Sequence, residues 1–368
     1  MLMSQPQRRT FHELCITRVK PEAAGSLAVT FAIPPEWHAL FAFQPGQFLT
    51  LKADINGQEI RRSYSICSSA TRYADSHEID IGIRAVPGGL FSPWAVSHLK
   101  PGDRLSVMPP DGRFVSQHPQ AIHRVGFAAG SGITPVLSIM ASTLEQQADA
   151  QFTLVYGNRN MASVMFNEAL QDLKDRFTQR VTLVHVLSRQ AQEVELLQGR
   201  LDQAKVSQLL QSVLSPQTFD EVFVCGPADM IDSTTNALLL SGVPPERIHS
   251  ERFLAPDQPV RVPVADPEAS LDGDEASVAL TLVLDGKQHA LRMSPAQKIL
   301  DVGLAAGLDL PYSCRGGVCC TCRAKVMQGS VAMEKNFTLE EWETQQGFVL
   351  ACQSKPTSHS VTLSFDER

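Results

Sequence analysis

Short apolar runs separated by glycine and proline turns fill the first 115 residues of this chain of 368 residues. Five such runs follow one another: LAVTFAI, FLTLKA, SYSIC, IDIGIRAV and RLSVM. The turn signals among them are PGQ, NGQ, PGG and PGD. Short strands with regular turn signals indicate a barrel or a sandwich. We predict an antiparallel β-barrel domain over residues 1–118.

The pattern of apolar and polar positions changes at Arg124, where apolar strand-like runs begin to alternate with longer helix-like segments. The strands are VGFAA, FTLVY, VTLVHVL and EVFVC, and SVMFNEALQDLKDRF is typical of the segments between them. Alternating strands and helices predict a parallel sheet covered by helices. We therefore assign residues 119–253 to an α/β domain.

A proline-rich acidic stretch and a small α+β module complete the chain. Residues 254–275 contain six acidic residues, one arginine and four prolines, which is typical of a solvated, semi-extended linker. After it, VALTLVL and KQHALRM flank an Asp285-Gly286 turn and predict a hairpin. Ser294 and Pro295 supply the N-cap and the first-turn proline for a predicted helix through Ala305. Residues 276–368 form the last predicted domain.

The composition excludes several classes of protein. Apolar residues make up 43% and charged residues 19% of the chain, unlike a disordered or collagen-like sequence. The net charge of −7 gives no general electrostatic reason to bind nucleic acid. No apolar run approaches the roughly 18 to 20 residues of a membrane span. We expect a cytoplasmic, soluble protein that binds neither nucleic acid nor membranes.

Cysteine spacing is the strongest chemical signal in the chain. Cys314, Cys319 and Cys322 form C-x4-C-x2-C, and Cys352 follows later. This is the plant-type spacing for four thiolates on a [2Fe-2S] cluster. The loop must curl around the cluster, and we expect Gly316 and Gly317 to permit the positive φ angles that this needs.

Two alternatives concern this cysteine cluster. A structural zinc site is one, although zinc ribbons usually pair two short C-x2-C hooks, whereas here the fourth cysteine is solitary. The other alternative concerns Cys320. This thiol either takes no part in binding the cluster or replaces a neighbouring cysteine as a ligand. We assign Cys320 no role.

Two segments of the predicted barrel carry groups suited to a flat, phosphorylated cofactor. Arg62, Tyr64 and Ser65 lie on a strand-like stretch, where a tyrosine can stack on a flat ring and an arginine can pair with a diphosphate. Gly89 and Ser92 open a short predicted helix, where backbone N–H groups and a hydroxyl can hold phosphate. Alone, an arginine and a tyrosine on a strand are more often ordinary surface residues.

Two further segments lie at the predicted carboxyl edge of the parallel sheet. The turn GSGITP, residues 130–135, directly follows VGFAA and opens a helix, where a phosphate-binding turn stands in this architecture. Pro135 replaces the third glycine of the usual fingerprint, so a structural glycine-rich turn is the alternative. Cys225 and Gly226 end EVFVC at the same edge, and a buried core thiol is the alternative for Cys225.

The motifs RSYS, PGGLFS, GSGITP, YGNR, CGPADM and ERF, taken in order, are similar to the landmarks of the ferredoxin-NADP reductase family, over residues 10–253. The C-terminal module resembles a plant-type ferredoxin of β-grasp fold, through LDLPYSCRGGVCCTC and VLACQS. The whole chain therefore resembles the reductase components of bacterial oxygenases.

The resemblance implies roles for individual residues. Arg62, Tyr64 and Ser65 would hold FAD, with Gly89 and Ser92 near its diphosphate. The GSGITP turn would bind the nicotinamide nucleotide, and the motif that begins at Cys225 would lie beside the nicotinamide ring. The residues implied for this second group are Gly130, Gly132, Thr134, Pro135, Cys225 and Gly226. Tyr64 and Cys225 are the expected catalytic residues, and Glu251 and Phe253 match residues close to the flavin.

The preferred nucleotide is NADPH, on the basis of charge. Arg159 and Arg189 end successive predicted strands and could clamp a 2′-phosphate, whereas an acidic residue would favour a free 2′-hydroxyl. NADH remains the alternative, because both arginines could be plain surface residues.

These expectations combine into one electron-transfer function. Hydride chemistry moves two electrons and an iron-sulfur cluster accepts one, so a flavin is the natural converter between them. By resemblance, the acceptor is a di-iron oxygenase acting on an aromatic acyl-CoA. A Rieske-type or other oxygenase, or a soluble redox protein, is the alternative acceptor. A non-catalytic iron-sulfur or zinc module is the alternative of a different class.

Overall fold

The computed structural model describes residues 10–23, 25–253 and 277–367. The chain divides into two compact units. The larger comprises the described residues of 11–60 and 64–256, and the smaller comprises those of 257–368 together with Thr10 and residues 61–63. The predicted linker, 254–275, lies outside the described residues, and the predicted domain boundaries stay predictions.

The first part of the larger unit is a six-stranded antiparallel sheet in the order β4-β3-β6-β1-β2-β5. Its strands are β1 (His12–Pro21), β2 (Ser26–Ala32), β3 (Phe48–Ile55), β4 (Gln58–Ser65), β5 (Glu78–Arg84) and β6 (Arg104–Val107). Two short helices accompany them, α1 (Ala70–Ser76) and α2 (Phe91–His98), with a 3-10 helix at Pro35–Trp37. The sequence pattern located five of these strands and missed β1.

The antiparallel sheet curls so that its two edge strands meet. Ile66, directly after β4, forms an isolated antiparallel bridge with Ile81 of β5. Alternate residues of the strands point inward, and the enclosed core includes the fully buried Leu14, Val29 and Phe31. Closure of this kind removes unpaired strand edges, in agreement with the predicted barrel.

The second part of the larger unit is a five-stranded parallel sheet in the order β11-β10-β7-β8-β9. Its strands are β7 (His123–Ala129), β8 (Gln151–Asn158), β9 (Val181–Leu187), β10 (Glu221–Gly226) and β11 (Ile248–Arg252). Its α-helices are α3 (Ile133–Gln146), α4 (Asn167–Arg176), α5 (Gln203–Ser212) and α6 (Ala228–Leu240). The 3-10 helices are Gly130–Gly132, Met161–Ser163, Glu195–Leu197, Pro216–Thr218 and Pro245–Arg247.

Each face of the parallel sheet has its own apolar core. Phe152, Leu154 and Tyr156 of β8 pack on one face with residues of α3 and α4. Val155, from the same strand, packs on the other face with residues of α5 and α6. This alternation follows from the two-residue period of a strand, and it makes the doubly covered sheet that the sequence predicted.

The smaller unit is an α+β fold around a mixed five-stranded sheet in the order β13-β12-β18-β14-β16. Its strands are β12 (Val278–Leu284), β13 (Lys287–Met293), β14 (Arg323–Gln328), β15 (Val331–Met333), β16 (Phe348–Leu350), β17 (Ser354–Pro356) and β18 (Ser360–Ser364). The helices are α7 (Ile299–Ala305) and α8 (Glu341–Gln345), and β15 pairs with β17 separately.

The β12–β13 hairpin is confirmed, but the start of the helix that follows was predicted wrongly. Asp285 and Gly286 have φ of 52° and 73°, as a two-residue turn with left-handed central residues requires. Helix α7 begins at Ile299, not after Ser294, because Ser294 is engaged in a turn in which its carbonyl accepts the N–H of Gln297 at 3.1 Å. The predicted end at Ala305 is observed.

Candidate functional site

A glycine turn joins β7 to α3 at the carboxyl edge of the parallel sheet. Gly130 has a φ of 55°, in the region that favours glycine. The hydroxyl of the buried Tyr156 donates to the carbonyl of Gly130 at 2.8 Å, which holds the turn against β8. The hydroxyl of Thr134 donates to the carbonyl of Ser131 at 3.0 Å and closes the first turn of the helix. Pro135 is buried in the same turn.

The same turn packs directly on the end of β10. A Cβ on Gly132 would lie 2.1 Å from the carbonyl oxygen of Cys225 and 2.9 Å from the backbone nitrogen of Gly226. Only a residue without a side chain fits there. A Cβ on Gly226 would in turn lie 2.8 Å from Met230. Both predicted motifs of the α/β domain are therefore in backbone contact.

A cysteine, a carboxyl group and a hydroxyl lie together next to this contact. Cys225 of β10 is fully buried and stands in register with Glu251 of the neighbouring strand β11. The hydroxyl of Ser65, from the end of β4, donates to Oε2 of Glu251 at 3.2 Å. The sheet register and the barrel thus bring together three residues that the sequence analysis named separately.

Burial governs the protonation of this group. Burial raises the pKa of Glu251 to about 8, although the hydrogen bond from Ser65 lowers it. Burial, and then the nearby Glu251, raises the pKa of the Cys225 thiol well above its ordinary value. At neutral pH both groups therefore hold their protons, and the site contains a neutral acid beside a neutral thiol.

The predicted flavin residues lie on β4 and at the start of α2. Tyr64 is half-buried, and its ring centroid lies 5.6 Å from that of Phe91. Arg62 is also half-buried and donates from Nη1 to the carbonyl of Arg61 at 2.7 Å. The hydroxyl of the buried Ser92 accepts the N–H of Val86 at 3.1 Å, which shapes the loop before the helix.

The start of α2 suits a phosphate group. The residue that caps this helix, Leu90, has no side-chain acceptor, so it leaves the first backbone N–H groups of the helix uncapped by its side chain. A Cβ on Gly89 would lie 3.1 Å from the carbonyl oxygen of Val86, so the loop is tight here. Helix N-termini attract anions, and the donors present therefore fit a diphosphate.

The remaining predicted residues lie in more open positions. Arg159 and Arg189 are exposed and follow the adjacent strands β8 and β9, where the N–H of Arg189 donates to the carbonyl of Arg159 at 2.7 Å. Phe253 directly follows β11 and is 38% exposed. The structure thus puts the two arginines at one edge of the sheet and leaves their guanidinium groups in solvent.

The four predicted ligand cysteines are buried in the smaller unit. Cys314, Cys319 and Cys322 lie on the loop before β14, and Cys352 follows β16. The backbone turns with positive φ at Gly317 (81°), as predicted, and also at Arg315 (53°) and Cys320 (56°). The prediction for Gly316 was wrong, because its neighbour Arg315 adopts the left-handed conformation instead.

Backbone and side-chain donors point at the sulfur atoms. The N–H of Gly316 donates to Sγ of Cys314 at 3.3 Å, and the N–H of Cys314 lies 3.5 Å from Sγ of Cys319. Contacts with the thiols of Cys319 and Cys352 lower the pKa of Cys314 well below its ordinary value. The thiol groups are therefore close neighbours, and donors of this kind suit sulfur atoms that carry negative charge.

The donor set fits an iron-sulfur cluster. Within the described ranges, no group of three or more His, Cys, Asp and Glu side chains is arranged to hold a metal ion. A [2Fe-2S] cluster divides its four thiolates between two irons, so its ligands need not converge on one point. Cys320 is differently engaged, since its Sγ lies 2.8 Å from the hydroxyl oxygen of Thr338.

Gln353 is a functional candidate that sequence reasoning missed. Its Nε2 lies 3.6 Å from Sγ of Cys352 and also donates to the carbonyl of Arg315 at 2.8 Å. The side chain is 2% exposed and joins the cysteine loop to the fourth cysteine. A polar residue directly after Cys352, in VLACQS, was the only signal for it in the sequence.

Comparisons with known proteins assign these sites to domain families. The model of the oxidoreductase FAD-binding domain matches residues 22–116. The model of the oxidoreductase NAD-binding domain matches residues 127–236. The model of the 2Fe-2S iron-sulfur cluster binding domain matches residues 282–357, which include all four cysteines predicted as ligands. These matches favour the iron-sulfur cluster over structural zinc.

Full-length relatives share the same domain order. A subunit of the 1,2-phenylacetyl-CoA epoxidase of Escherichia coli (strain K12) is 42% identical over 98% of this chain and 99% of its own. The chain belongs to the ferredoxin-NADP reductase family, in the group with a C-terminal [2Fe-2S] ferredoxin domain. The ferredoxin reductase component of 3-ketosteroid-9-alpha-monooxygenase from Mycobacterium tuberculosis is 36% identical to this reductase, over 96% of each chain.

Solved structures share the fold of the reductase. Phthalate dioxygenase reductase has a TM-score of 0.61 and 21% identity, and the match covers 98% of this chain and 100% of that one. An intact type IV self-sufficient cytochrome P450 monooxygenase has a TM-score of 0.68 and 19% identity, covering 96% of this chain and 41% of that one.

The reductase is thus an oxidoreductase that uses FAD, a [2Fe-2S] cluster and a nicotinamide nucleotide, and it is a reductase component of oxygenase systems. This excludes a non-catalytic module. No helix in the described part of the chain is long and apolar enough to cross a membrane.

Proposed function

We propose that this reductase takes electrons from NADPH and delivers them singly to the di-iron oxygenase component of a phenylacetyl-CoA epoxidase, in the cytoplasm. The observation that carries this proposal is the identity of 42% with a protein of the phenylacetyl-CoA epoxidase, which extends over 99% of that relative. None of the eight cysteines, all of which lie within the described residues, forms a disulfide, which supports a reducing compartment. Phenylacetate catabolism is the process that such an enzyme would serve.

Residues at the barrel end of the site would hold FAD. Tyr64 would lie against the flat ring, and Arg62 would pair with the diphosphate through its planar fork. Gly89 and Ser92 would shape the loop at the start of α2, whose first N–H groups would bind the phosphates. When bound, FAD accepts electrons in pairs and releases them singly, which is the conversion that the reaction requires.

Residues at the carboxyl edge of the parallel sheet would hold the nicotinamide nucleotide. Its diphosphate would lie on the turn formed by Gly130, Gly132, Thr134 and Pro135, in the position where such ligands lie in this architecture. Cys225 and Gly226 would face the nicotinamide, and Phe253 would cover the flavin ring near them. Cys225 would act by packing and orientation, because its raised pKa keeps the thiol neutral.

Glu251 and Ser65 would control charge beside the reacting rings. A buried carboxylate without a cationic partner is costly, and the pKa of about 8 keeps Glu251 neutral at pH 7. Its neutral acid can donate a hydrogen bond, whereas the ionised form only accepts one. Ser65 donates to the carboxyl oxygen and therefore favours ionisation, so the pair sets the pH at which the site gains a negative charge.

Cys314, Cys319, Cys322 and Cys352 would ligate the cluster, and Gln353 would donate to the last of them. Arg159 and Arg189 would pair with the 2′-phosphate of NADPH, since both follow strands at the edge where the nucleotide binds. Replacing both arginines by alanine should therefore weaken NADPH binding and leave NADH binding nearly unchanged.

A second candidate partner is an oxygenase of another system. Relatives that support it are the 3-ketosteroid-9-alpha-monooxygenase component and the glycine betaine monooxygenase reductase subunit of Chromohalobacter salexigens, which is 28% identical over 91% of each chain. Under this alternative, electrons reach a Rieske-type or other oxygenase with a different substrate.

The first experiment is an anaerobic titration of the purified holoprotein with NADPH and, separately, with NADH, followed by visible absorption. We expect the flavin and cluster bands to bleach at lower concentrations of NADPH than of NADH. Bleaching of neither band by either nucleotide would contradict the electron path, and preference for NADH would contradict the nucleotide assignment.

The second experiment tests the partner. The reduced protein is mixed with the oxygenase component of the Escherichia coli epoxidase and phenylacetyl-CoA, and the epoxide is measured by mass spectrometry. A parallel reaction uses the oxygenase component of the mycobacterial 3-ketosteroid monooxygenase with its steroid substrate. Turnover of the steroid without epoxide formation would support the second candidate.

A further inference from the structure

The helix α4 begins at a phenylalanine with an unusual backbone conformation. Phe166, which immediately precedes this helix, has φ 58° and ψ 29°, in the left-handed region. A bulky residue rarely adopts this conformation, which persists only where the surrounding structure holds it. The side chain of Phe166 forms no capping hydrogen bond, so the start of α4 depends on groups from outside the helix.

A carboxylate from the barrel provides such a group. Glu22 directly follows β1, and its Oε2 accepts the backbone N–H of Phe166 at 2.8 Å, across 144 positions of the chain. The side chain of Glu22 is 10% exposed, so solvent screens this contact only weakly. Because the N-terminus of a helix carries partial positive charge, the carboxylate also stabilises the start of α4 electrostatically.

The ring of Phe166 lies at a junction between the barrel and the α/β domain. A Cβ built on Gly82 of β5 would lie 2.9 Å from Cζ of Phe166 and 2.5 Å from Cγ2 of Thr134. Only glycine therefore allows β5 to approach both side chains. Thr134 belongs to the first turn of α3, which directly follows the glycine turn. The buried ring of Phe166 is thus packed where the barrel meets the start of α3.

This junction bears on the reaction because the two nucleotides would bind on either side of it. This inference rests on the proposed function, in which FAD binds to the barrel and the nicotinamide nucleotide binds to the glycine turn. Hydride passes between rings that are held close together and aligned, and a displacement of about 1 Å can slow a reaction about 100-fold. The placement of the α/β domain on the barrel therefore affects the rate.

We propose that Glu22 is a positioning residue for hydride transfer. It holds Phe166 in the left-handed conformation, and the ring of Phe166 then fixes the start of α3 on β5. Lys20 makes a second contact with this region, since its Nζ lies 2.6 Å from Oε2 of Glu168. Both side chains of that pair are exposed, and exposed ion pairs contribute little. The contact of Glu22 with Phe166 is therefore the one that sets the position.

The test measures flavin reduction in the full-length holoprotein by anaerobic stopped-flow mixing over a range of NADPH concentrations. Each protein gives a limiting rate and an apparent Kd. Glu22→Ala removes the acceptor, and we expect the limiting rate to fall about ten- to hundred-fold. The apparent Kd should change little, because the glycine turn that would bind the nucleotide lies wholly within the α/β domain.

Two matched variants separate positioning from a general loss of structure. Glu22→Gln keeps an oxygen that can accept the N–H of Phe166, and it should recover much of the limiting rate. Lys20→Ala removes the exposed ion pair with Glu168 and should leave the rate and the Kd unchanged. The FAD content and the thermal midpoint of every variant are measured, so that each rate refers to folded holoprotein.

A double-variant cycle tests the route through Phe166. Phe166→Gly adopts the left-handed conformation without strain but lacks the ring, so it should slow hydride transfer by itself. Adding Glu22→Ala to it should have little further effect, whereas fully additive effects would contradict the proposed route. The comparison of alanine with glutamine at position 22 needs no change at Phe166, and it decides the question even if the glycine variant does not fold.

The outcomes distinguish positioning from other roles of Glu22. A lower limiting rate with a similar Kd, restored by Glu22→Gln, supports the proposal. A wild-type limiting rate in Glu22→Ala would overturn it, and a lower thermal midpoint in that variant would then assign Glu22 a purely structural role. A raised Kd at the wild-type limiting rate would overturn it as well. If neither NADPH nor NADH reduced the flavin of the wild type, the proposed function itself would fail, whatever Glu22 does.

Discussion

Replacing Gly132 by alanine should separate the glycine turn from the end of β10. The backbone at Gly132 has φ −62° and ψ −8°, which any L-residue adopts, so the substitution adds no backbone strain. Its only consequence is the new methyl group, which would lie 2.1 Å from the carbonyl oxygen of Cys225. The obstacle is backbone in the interior of a sheet, and it cannot rotate away as a side chain would.

The size of the effect follows from this distance. Ordinary contact begins near 3.4 Å, so the methyl group and the carbonyl oxygen at 2.1 Å must separate by about 1.3 Å. Overpacking costs about 1–3 kcal/mol, and we expect the upper end because backbone must move. A displacement of about 1 Å at a reacting group can slow a reaction about 100-fold. Hydride transfer to the flavin should therefore slow by about that factor.

The assay is anaerobic stopped-flow mixing of the holoprotein with NADPH, followed by flavin absorbance, together with the midpoint of thermal unfolding. Ser131→Ala, in the same turn, is the matched control and should change neither value greatly. Flavin reduction at the wild-type rate in a Gly132→Ala variant with full FAD content would refute the steric argument, and with it the contact between the turn and Cys225.

Three other predictions concern charge and metal binding. Because the pKa of Glu251 is raised to about 8, its contribution to stability is present below its ordinary pKa of 4.5 and is lost as the pH rises through 8. The thermal midpoint of the wild type should therefore fall relative to that of Glu251→Gln between pH 5 and about 9, and a constant difference would contradict this assignment. Cys319→Ser should lose the absorption of the cluster while Cys320→Ser keeps it, and the opposite result would exchange their roles. Glu221→Gln should lower the free energy of unfolding by about 3–5 kcal/mol, because it leaves the fully buried guanidinium group of Arg124 without the carboxylate charge that lies 3.0 Å away. The double replacement Glu221→Leu with Arg124→Met should recover much of this loss, and equal losses in both variants would contradict the argument.

The Glu221 carboxylate also has a defined response to acid. Burial alone would raise its pKa, but hydrogen bonds from His249, Ser116 and the backbone N–H groups of Gln117 and His118 outweigh burial and lower the pKa to about 2. The stability that it contributes is present above pH 4.5 and is lost as the pH falls through 2. Urea unfolding at successively lower pH, compared with Glu221→Gln, measures this loss.

Much of the architecture could be predicted because it depends on short-range patterns. The Asp285-Gly286 turn, the parallel strands and the glycine turn each follow from a few neighbouring residues. The spacing of Cys314, Cys319 and Cys322 likewise carries its chemistry locally. Strand β1 was missed because HELCITRVKP interrupts its apolar residues with charged ones, and the start of α7 was wrong because Ser294 serves a turn instead.

The sequence by itself determined most of the elements, the spacing of the predicted cysteine ligands and the motifs at the sheet edge, since each rests on local conformational preference or spacing. Only the tertiary structure decided which motifs meet. Ser65 reaches Glu251 across 186 residues of chain, and the ring of Phe166 meets β5 at Gly82. Such contacts arise from sheet register and from close packing at glycines, which depend on the whole fold and which no local pattern encodes.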